Sequence, residues 1–171
     1  MITSRQALDD NARATTDGDA SFLPEVGKIL NSLLAEGRMT LLDAGAVSLT
    51  GPGISIPMLG DDIQFFFSRG HSEGQMHAVF STIFGAIVFG GDFWPTVWHA
   101  QDPSRFMPQF DRRDLPALLR DKESFLPRAA AYQVYLYFYH DPEVAAAQVV
   151  ENAGQYEIKN PLQEVRWSSD S

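Results

Sequence analysis

No cysteine occurs in the 171 residues. Its absence excludes disulfides, Cys-ligated zinc, iron–sulfur clusters and a thiol nucleophile. No window holds the roughly 20 consecutive apolar residues that a membrane-spanning helix needs. The most apolar stretch, Met76 to Phe89, is shorter and is interrupted by His77, Ser81 and Thr82. The N-terminal MITSRQALDDNARATTDGDASF has no apolar run of the signal-peptide kind. Together these point to a cytoplasmic protein with no membrane partner. There is no Gly-x-Gly-x-x-Gly opening a helix, no phosphate loop and no Gly-x-Ser-x-Gly elbow. Basic charge is scarce: 13 Lys and Arg stand against 22 Asp and Glu, a formal charge of −9. An acidic surface repels phosphate backbones, so nucleic acid is not an expected partner.

What is present suits a packed globule. The hydrophobic fraction is 44% and the aromatic fraction 12%. A chain of this size can bury about 70% of the surface its unfolded form exposes. Residues 1–20, acidic and poor in large apolar side chains, read as a flexible tail, and 21–171 as a single α+β domain.

Phe22, Val26, Ile29, Leu30, Leu33 and Leu34 recur at helical spacing, which predicts a helix from Phe22 to Glu36 with Ser21 as its cap. Short β-rich runs follow between Gly and Pro punctuation: Met39–Leu42, Ala46–Leu49, Ile54–Pro57 and Ile63–Ser68. The triplet Phe65-Phe66-Phe67 puts aromatics on both faces of its strand and calls for cover on both sides. Further on, Asp114 caps a helix from Leu115 to Phe125, AAAYQVYLYFYH reads as a strand, HDPEVAAAQVV as a Pro-started helix, and QYEIK as a short strand.

Two histidines bracket a glutamate in RGHSEGQMHAVF. His71, Glu73 and His77, with His99 as a further donor, could ligate a divalent metal. The competing reading needs no ligand. Ser72 to Gln75 fits a capping box, and Met76, Val79, Phe80, Ile83, Phe84 and Ile87 repeat at helical steps. Gly90 and Gly91 then stop the helix. This reading is preferred, so no cofactor is expected and a metal site is the minor alternative.

Residues 92–113 combine Phe93, Trp94, Trp98, Phe106 and Phe110 with Pro95, Pro103 and Pro108. Such proline density predicts a long aromatic loop that wraps the core or walls a pocket. In YQVYLYFYH, strand alternation sends Tyr135, Tyr137 and Tyr139 to one side. Tyrosines in register suit either an interface or a cross-strand ladder.

The resulting expectation is a mainly antiparallel sheet, helices packed on one face and the aromatic loop over an edge. The leading function is a non-enzymatic accessory role of the immunity, antitoxin or secretion-chaperone type. It would bind a protein, with a basic surface suiting the charge, through the tyrosine face, and form a homodimer. The alternative is a small-molecule binder or metal-dependent enzyme. There Trp94, Trp98, Phe106 and the tyrosines wall a pocket, and His71, His77 or His99 act as acid, base or ligand.

Overall fold

The structure, a computed structural model, describes residues 1–19, 22–43, 45, 53–108, 111 and 114–165. Its centre is a seven-stranded sheet in the order β3 (Ile54–Ile56), β4 (Gly60–Ser68), β5 (Gln75–Thr82), β6 (Gly85–Phe89), β7 (Tyr135–Tyr137), β8 (Ala146–Asn152), β9 (Gln155–Leu162). Every neighbouring pair is antiparallel except β6 and β7, which run parallel. A parallel pair requires a long crossover. Here it carries α3 (Val97–Gln101) and α4 (Leu115–Ala131). A separate parallel pair, β1 (Ile2–Ser4) with β2 (Thr40–Leu42), frames α1 (Arg5–Thr16) and α2 (Pro24–Ala35). The chain is thus a mixed α/β fold with a large, mostly antiparallel sheet. No helix among the described residues is long and apolar enough to cross a membrane.

Register sets the faces. Val79 and Val88 stand opposite each other, as do Val88 and Leu136, then Leu136 and Ala147. This face meets Val97 and Ala100 of α3 and Leu118, Leu126 and Ala129 of α4 in the main core. Phe65 and Phe67 point the other way and pack with Leu42 and Ile56 in a second cluster, with Ile2 against it. Phe66 lies against the main core. The Phe65–Phe67 triplet is therefore covered on both sides, as its sequence demands. Each fully buried Leu of α4 contributes about 1.5–3 kcal/mol of transfer energy.

Several expectations change. The expected tail at 1–20 is not loose over its described part: Ile2–Ser4 forms β1 and Arg5–Thr16 forms α1, with Ser4, Leu8, Asp10 and Ala14 buried. Ser4 caps α1 through Ala7 N–H and donates its hydroxyl to Gly74 O at 2.7 Å. The Ala46–Leu49 strand and the Ser21 cap lie outside the described residues, and α2 starts at Pro24 with Leu23 before it, which gives no side-chain cap. The largest correction falls on Met76–Phe89, which is the β5–β6 hairpin and not a helix. Its apolar residues satisfy both periods, because a sheet apolar on both faces also places them three and four apart. Thr82 and Gly85 (φ 118°) close the turn, leaving Ile83 and Phe84 outside. No capping box forms: Ser72–Gln75 is a turn in which Gln75 N–H bonds Ser72 O.

The HDPEVAAAQVV stretch also forms no helix. The Asp141 carboxylate takes the N–H groups of Glu143 and Val144 and bends a turn into β8, where Ala147 and Val149 seal against the core. The expected aromatic loop is broken by a 3-10 turn at Gly91–Phe93 and by α3. The long Tyr strand shortens to Tyr135–Tyr137 because α4 runs on to Ala131.

Candidate functional site

β4, β6 and β7 point the same way, since β4 and β6 both oppose β5 and β6 is parallel to β7. The loops that follow them leave one end of the sheet together. They carry His71, Asp92 and His140 respectively.

Asp92 is the hub. Its Oδ2 faces His71 Nε2 at 3.3 Å, and its Oδ1 faces His140 Nε2 at 3.4 Å. The Tyr139 hydroxyl donates to Oδ1 at 2.5 Å. Behind His71, its Nδ1 meets Asp111 Oδ1 at 2.7 Å, and the other oxygen of this buried Asp111 accepts Met107 N–H. Each loop is pinned. Arg69 N–H bonds the Asp121 carboxylate of α4 at 3.0 Å. His140 N–H bonds Pro95 O at 3.1 Å, and Val97 N–H bonds Asp141. Gly70 lies so close to α4 that a Cβ there would meet Leu118 Cα at 2.0 Å.

Charge follows contact. Burial works against a charged His71, but the hydrogen bonds and charges of Asp111 and Asp92 outweigh it and push its pKa up to about 9. The His71 contact in turn holds Asp92 below the usual carboxylate range. Burial, then the Asp92 bond, pushes Tyr139 up to about 12, so its hydroxyl stays a donor.

The residues singled out from sequence scatter. Only His71 and Tyr139 reach this centre. Glu73 pairs with Arg69 at 3.3 Å on the outside. His77 is fully buried between sheet and loop, its Nε2 on Ser68 Oγ at 2.8 Å and its ring edge-on to Phe93. Burial pushes it down to about 3, with the Gly90 backbone opposing only in part and no partner in hydrogen-bond geometry at Nδ1. It is a neutral core histidine. His99 bonds Thr96 Oγ1 at 2.8 Å. It shares a shallow cavity of about 290 Å³ with the exposed Trp98, Ser104, Arg105 and Phe106. Trp94 is sealed in the core against Phe93 and Phe125 and cannot wall a pocket. Tyr135 and Tyr137 are half-buried on β7, where Tyr137 sits 5.8 Å from Phe89.

Asp92, Asp111 and His140 escaped the sequence reading. The signal for Asp92 and His140 was a Gly-Gly-Asp and a Tyr-His-Asp, each following an apolar strand, and Asp111 had none. It became visible only once 76–89 was a hairpin.

The donor types suit a divalent cation. Two imidazoles and a carboxylate present facing atoms, and His71 gives its second nitrogen to a buried carboxylate, as metal-binding histidines do. Ligand atoms about 2.1 Å from a tetrahedral ion sit about 3.4 Å apart, close to both spacings around Asp92. Among the described residues, however, no three or more of His, Asp and Glu form a ready cation cage. The donors line the two edges of Asp92, and the arrangement is open.

No protein-family model matches the sequence, and no curated protein does. Solved structures do match. A probable metal-dependent hydrolase from Staphylococcus aureus superposes with a TM-score of 0.72 at 17% identity, over 98% of this chain and 53% of its own. AbOPH, a hydrolase in the beta-lactamase superfamily, gives 0.67 at 16%, over 98% and 55%. AidC, a dizinc quorum-quenching lactonase, gives 0.65 at 14%, over 98% and 55%. The chain spans about half the length of these proteins. The likeness overturns the accessory-protein reading of immunity, antitoxin or chaperone type and its protein-binding tyrosine face: the shared scaffold is that of metal-dependent hydrolases. Over nearly its whole length, this chain has the fold found in hydrolases of the beta-lactamase superfamily.

Proposed function

We propose that the protein is a metal-dependent hydrolase acting on an ester or lactone carbonyl, with His71, Asp92 and His140 as donors to a divalent cation. The observation that carries this reading is the Asp92 carboxyl flanked on its two oxygens by two imidazole nitrogens, at 3.3 and 3.4 Å. The fold shared with metal-dependent hydrolases supports it, and lactonases among the neighbours suggest the substrate class. A bound divalent ion supplies Lewis acidity toward a carbonyl and a source of hydroxide near neutral pH. The chain's own part is orientation. Asp111 fixes the His71 ring so that Nε2 faces Asp92, and the Pro95 carbonyl ties His140 at its backbone. The net charge of −9 favours cation entry.

Zinc titration against a chromophoric chelator tests the reading. The wild type should bind zinc, and His71→Ala, Asp92→Asn and His140→Ala should each weaken binding by at least about tenfold. Hydrolysis of a p-nitrophenyl ester or an N-acyl homoserine lactone should disappear on chelation. A wild type with no zinc affinity, or one indifferent to all three substitutions, overturns it.

A further inference from the structure

The cavity beside His99 lies apart from the Asp92 centre and carries charge that the proposed reaction does not use. Its volume of about 290 Å³ is at the small end for a ligand site, about 300–1,000 Å³. Trp98 and Phe106 give it apolar walls, and His99, Ser104 and Arg105 give it polar lining. Lys122 of α4, only 1% exposed, donates its ammonium to the Arg105 carbonyl at 2.6 Å. A lysine is almost never fully buried unless paired. Burial pushes its pKa down to about 8, against the charges of Asp111 and Asp102, so it stays charged at neutral pH. A chain of net charge −9 thus gathers two cations and a histidine at one cavity. Asp102 offsets part of this. It faces Arg105 Nε at 3.4 Å and accepts the Ser104 hydroxyl at 2.6 Å. A guanidinium has five N–H donors, so that contact leaves Arg105 with donors for a ligand. Its central carbon lies 5.8 Å from the Trp98 ring centroid, which sets the cation beside an apolar wall. Burial holds His99 below the usual histidine range, and Lys122 and Arg105 push the same way against Asp111. The ring is therefore uncharged at neutral pH. Its Nδ1 is taken by the Thr96 hydroxyl, and Nε2 is the nitrogen left to a ligand.

We propose that this cavity binds a small organic monocarboxylate, with the carboxylate on the Arg105 guanidinium and an apolar or aromatic body against Trp98 and Phe106. The guanidinium fork matches a carboxylate in shape and charge, and the rings supply contact area for the body. Asp102 sets the charge of the ligand. With one carboxylate already beside Arg105, a second negative charge on the ligand meets repulsion. The site needs no metal and stands independently of the cation reading. The two are compatible in chemistry, since hydrolysis of an ester or lactone carbonyl releases a carboxylate. They also share a loop. Phe106 lines the cavity, and the next residue, Met107, gives its N–H to the Asp111 carboxylate that holds His71.

The experiment titrates the metal-free protein with phenylacetate, followed by calorimetry and by tryptophan emission. The comparison ligands are 2-phenylethanol, which lacks the charge, acetate, which lacks the ring, and phenyl phosphate, which carries a second charge. Phenylacetate should bind at least about tenfold tighter than each of the three, the worth of one charge-assisted hydrogen bond. Arg105→Gln should remove the preference over 2-phenylethanol, and Trp98→Ala should weaken phenylacetate and abolish its effect on emission. Both side chains are more than half exposed, at 55% and 68%, so both variants should keep the wild-type melting curve. Asp92→Asn should leave phenylacetate binding unchanged. The inference is overturned if the wild type binds no phenylacetate, binds 2-phenylethanol equally well, or prefers phenyl phosphate. Wild-type affinity in Arg105→Gln overturns it too, as does a loss in Asp92→Asn, which would move the acid to the centre. Absence of zinc binding defeats the cation reading and leaves these outcomes as they stand.

Discussion

Asp111 and His71, 40 residues apart in the chain, meet at 2.7 Å, with the carboxylate almost fully buried and the ring turned toward Asp92. The contact joins the β4–β5 loop to the crossover between β6 and β7. It fixes which His71 nitrogen faces the centre. Asp111→Asn keeps the shape but removes the charge. Zinc affinity should fall about 10- to 100-fold, measured by chelator competition. An unchanged affinity would separate Asp111 from the site.

Gly70→Ala should destabilise the fold by about 3 kcal/mol. The new Cβ would meet backbone at Leu118 Cα, 2.0 Å away, and neither partner is a flexible side-chain end. Urea unfolding reads the loss. Because His71 is the next residue, zinc affinity should drop as well. A variant as stable as the wild type would show that the loop does not dock on α4.

His77 gives a pH signature. Its pKa falls from 6.5 to about 3 on folding because burial disfavours the charged ring. Between those values the unfolded chain binds a proton that the folded chain refuses, so stability rises with pH there. The contribution is whole above 6.5 and is lost as pH falls toward 3, by at most about 1.4 kcal/mol per unit. His77→Gln removes the titration. From pH 7 to pH 5 the wild type should lose about 2 kcal/mol more than the variant in urea unfolding. Parallel pH profiles would contradict a buried neutral His77.

The hairpin predicts an asymmetry that a helix over 76–89 would not. Phe84 is 85% exposed at the turn, so Phe84→Ser should change stability by no more than about 0.5 kcal/mol. Leu118→Ala, at 0% exposure, should cost about 2–5 kcal/mol. A large loss at Phe84 would restore the helical reading.

Parts of this protein were legible in the chain. The apolar stripe of α2, the Asp114 cap of α4 and the two-faced Phe65–Phe67 strand follow from local spacing and capping chemistry, which a sequence states directly. Met76–Phe89 was ambiguous, because residues apolar on both faces fit a helical stripe and a buried strand alike. Reading it as a helix hid the centre, since Asp92 gained its place only as the residue beyond a strand.

The sequence by itself determined a cysteine-free, acidic chain with a sizeable core and a mixed α/β composition, because charge counts and hydrophobic fractions do not depend on how the chain closes. Only the tertiary structure decided that β6 and β7 run side by side in the same direction. That pairing brings His140 to Asp92, 48 positions apart in the chain, and leaves Glu73, His77 and His99 elsewhere. Long-range strand pairing rests on the summed burial of faces such as Val88, Leu136 and Val149, and no local pattern of residues states it.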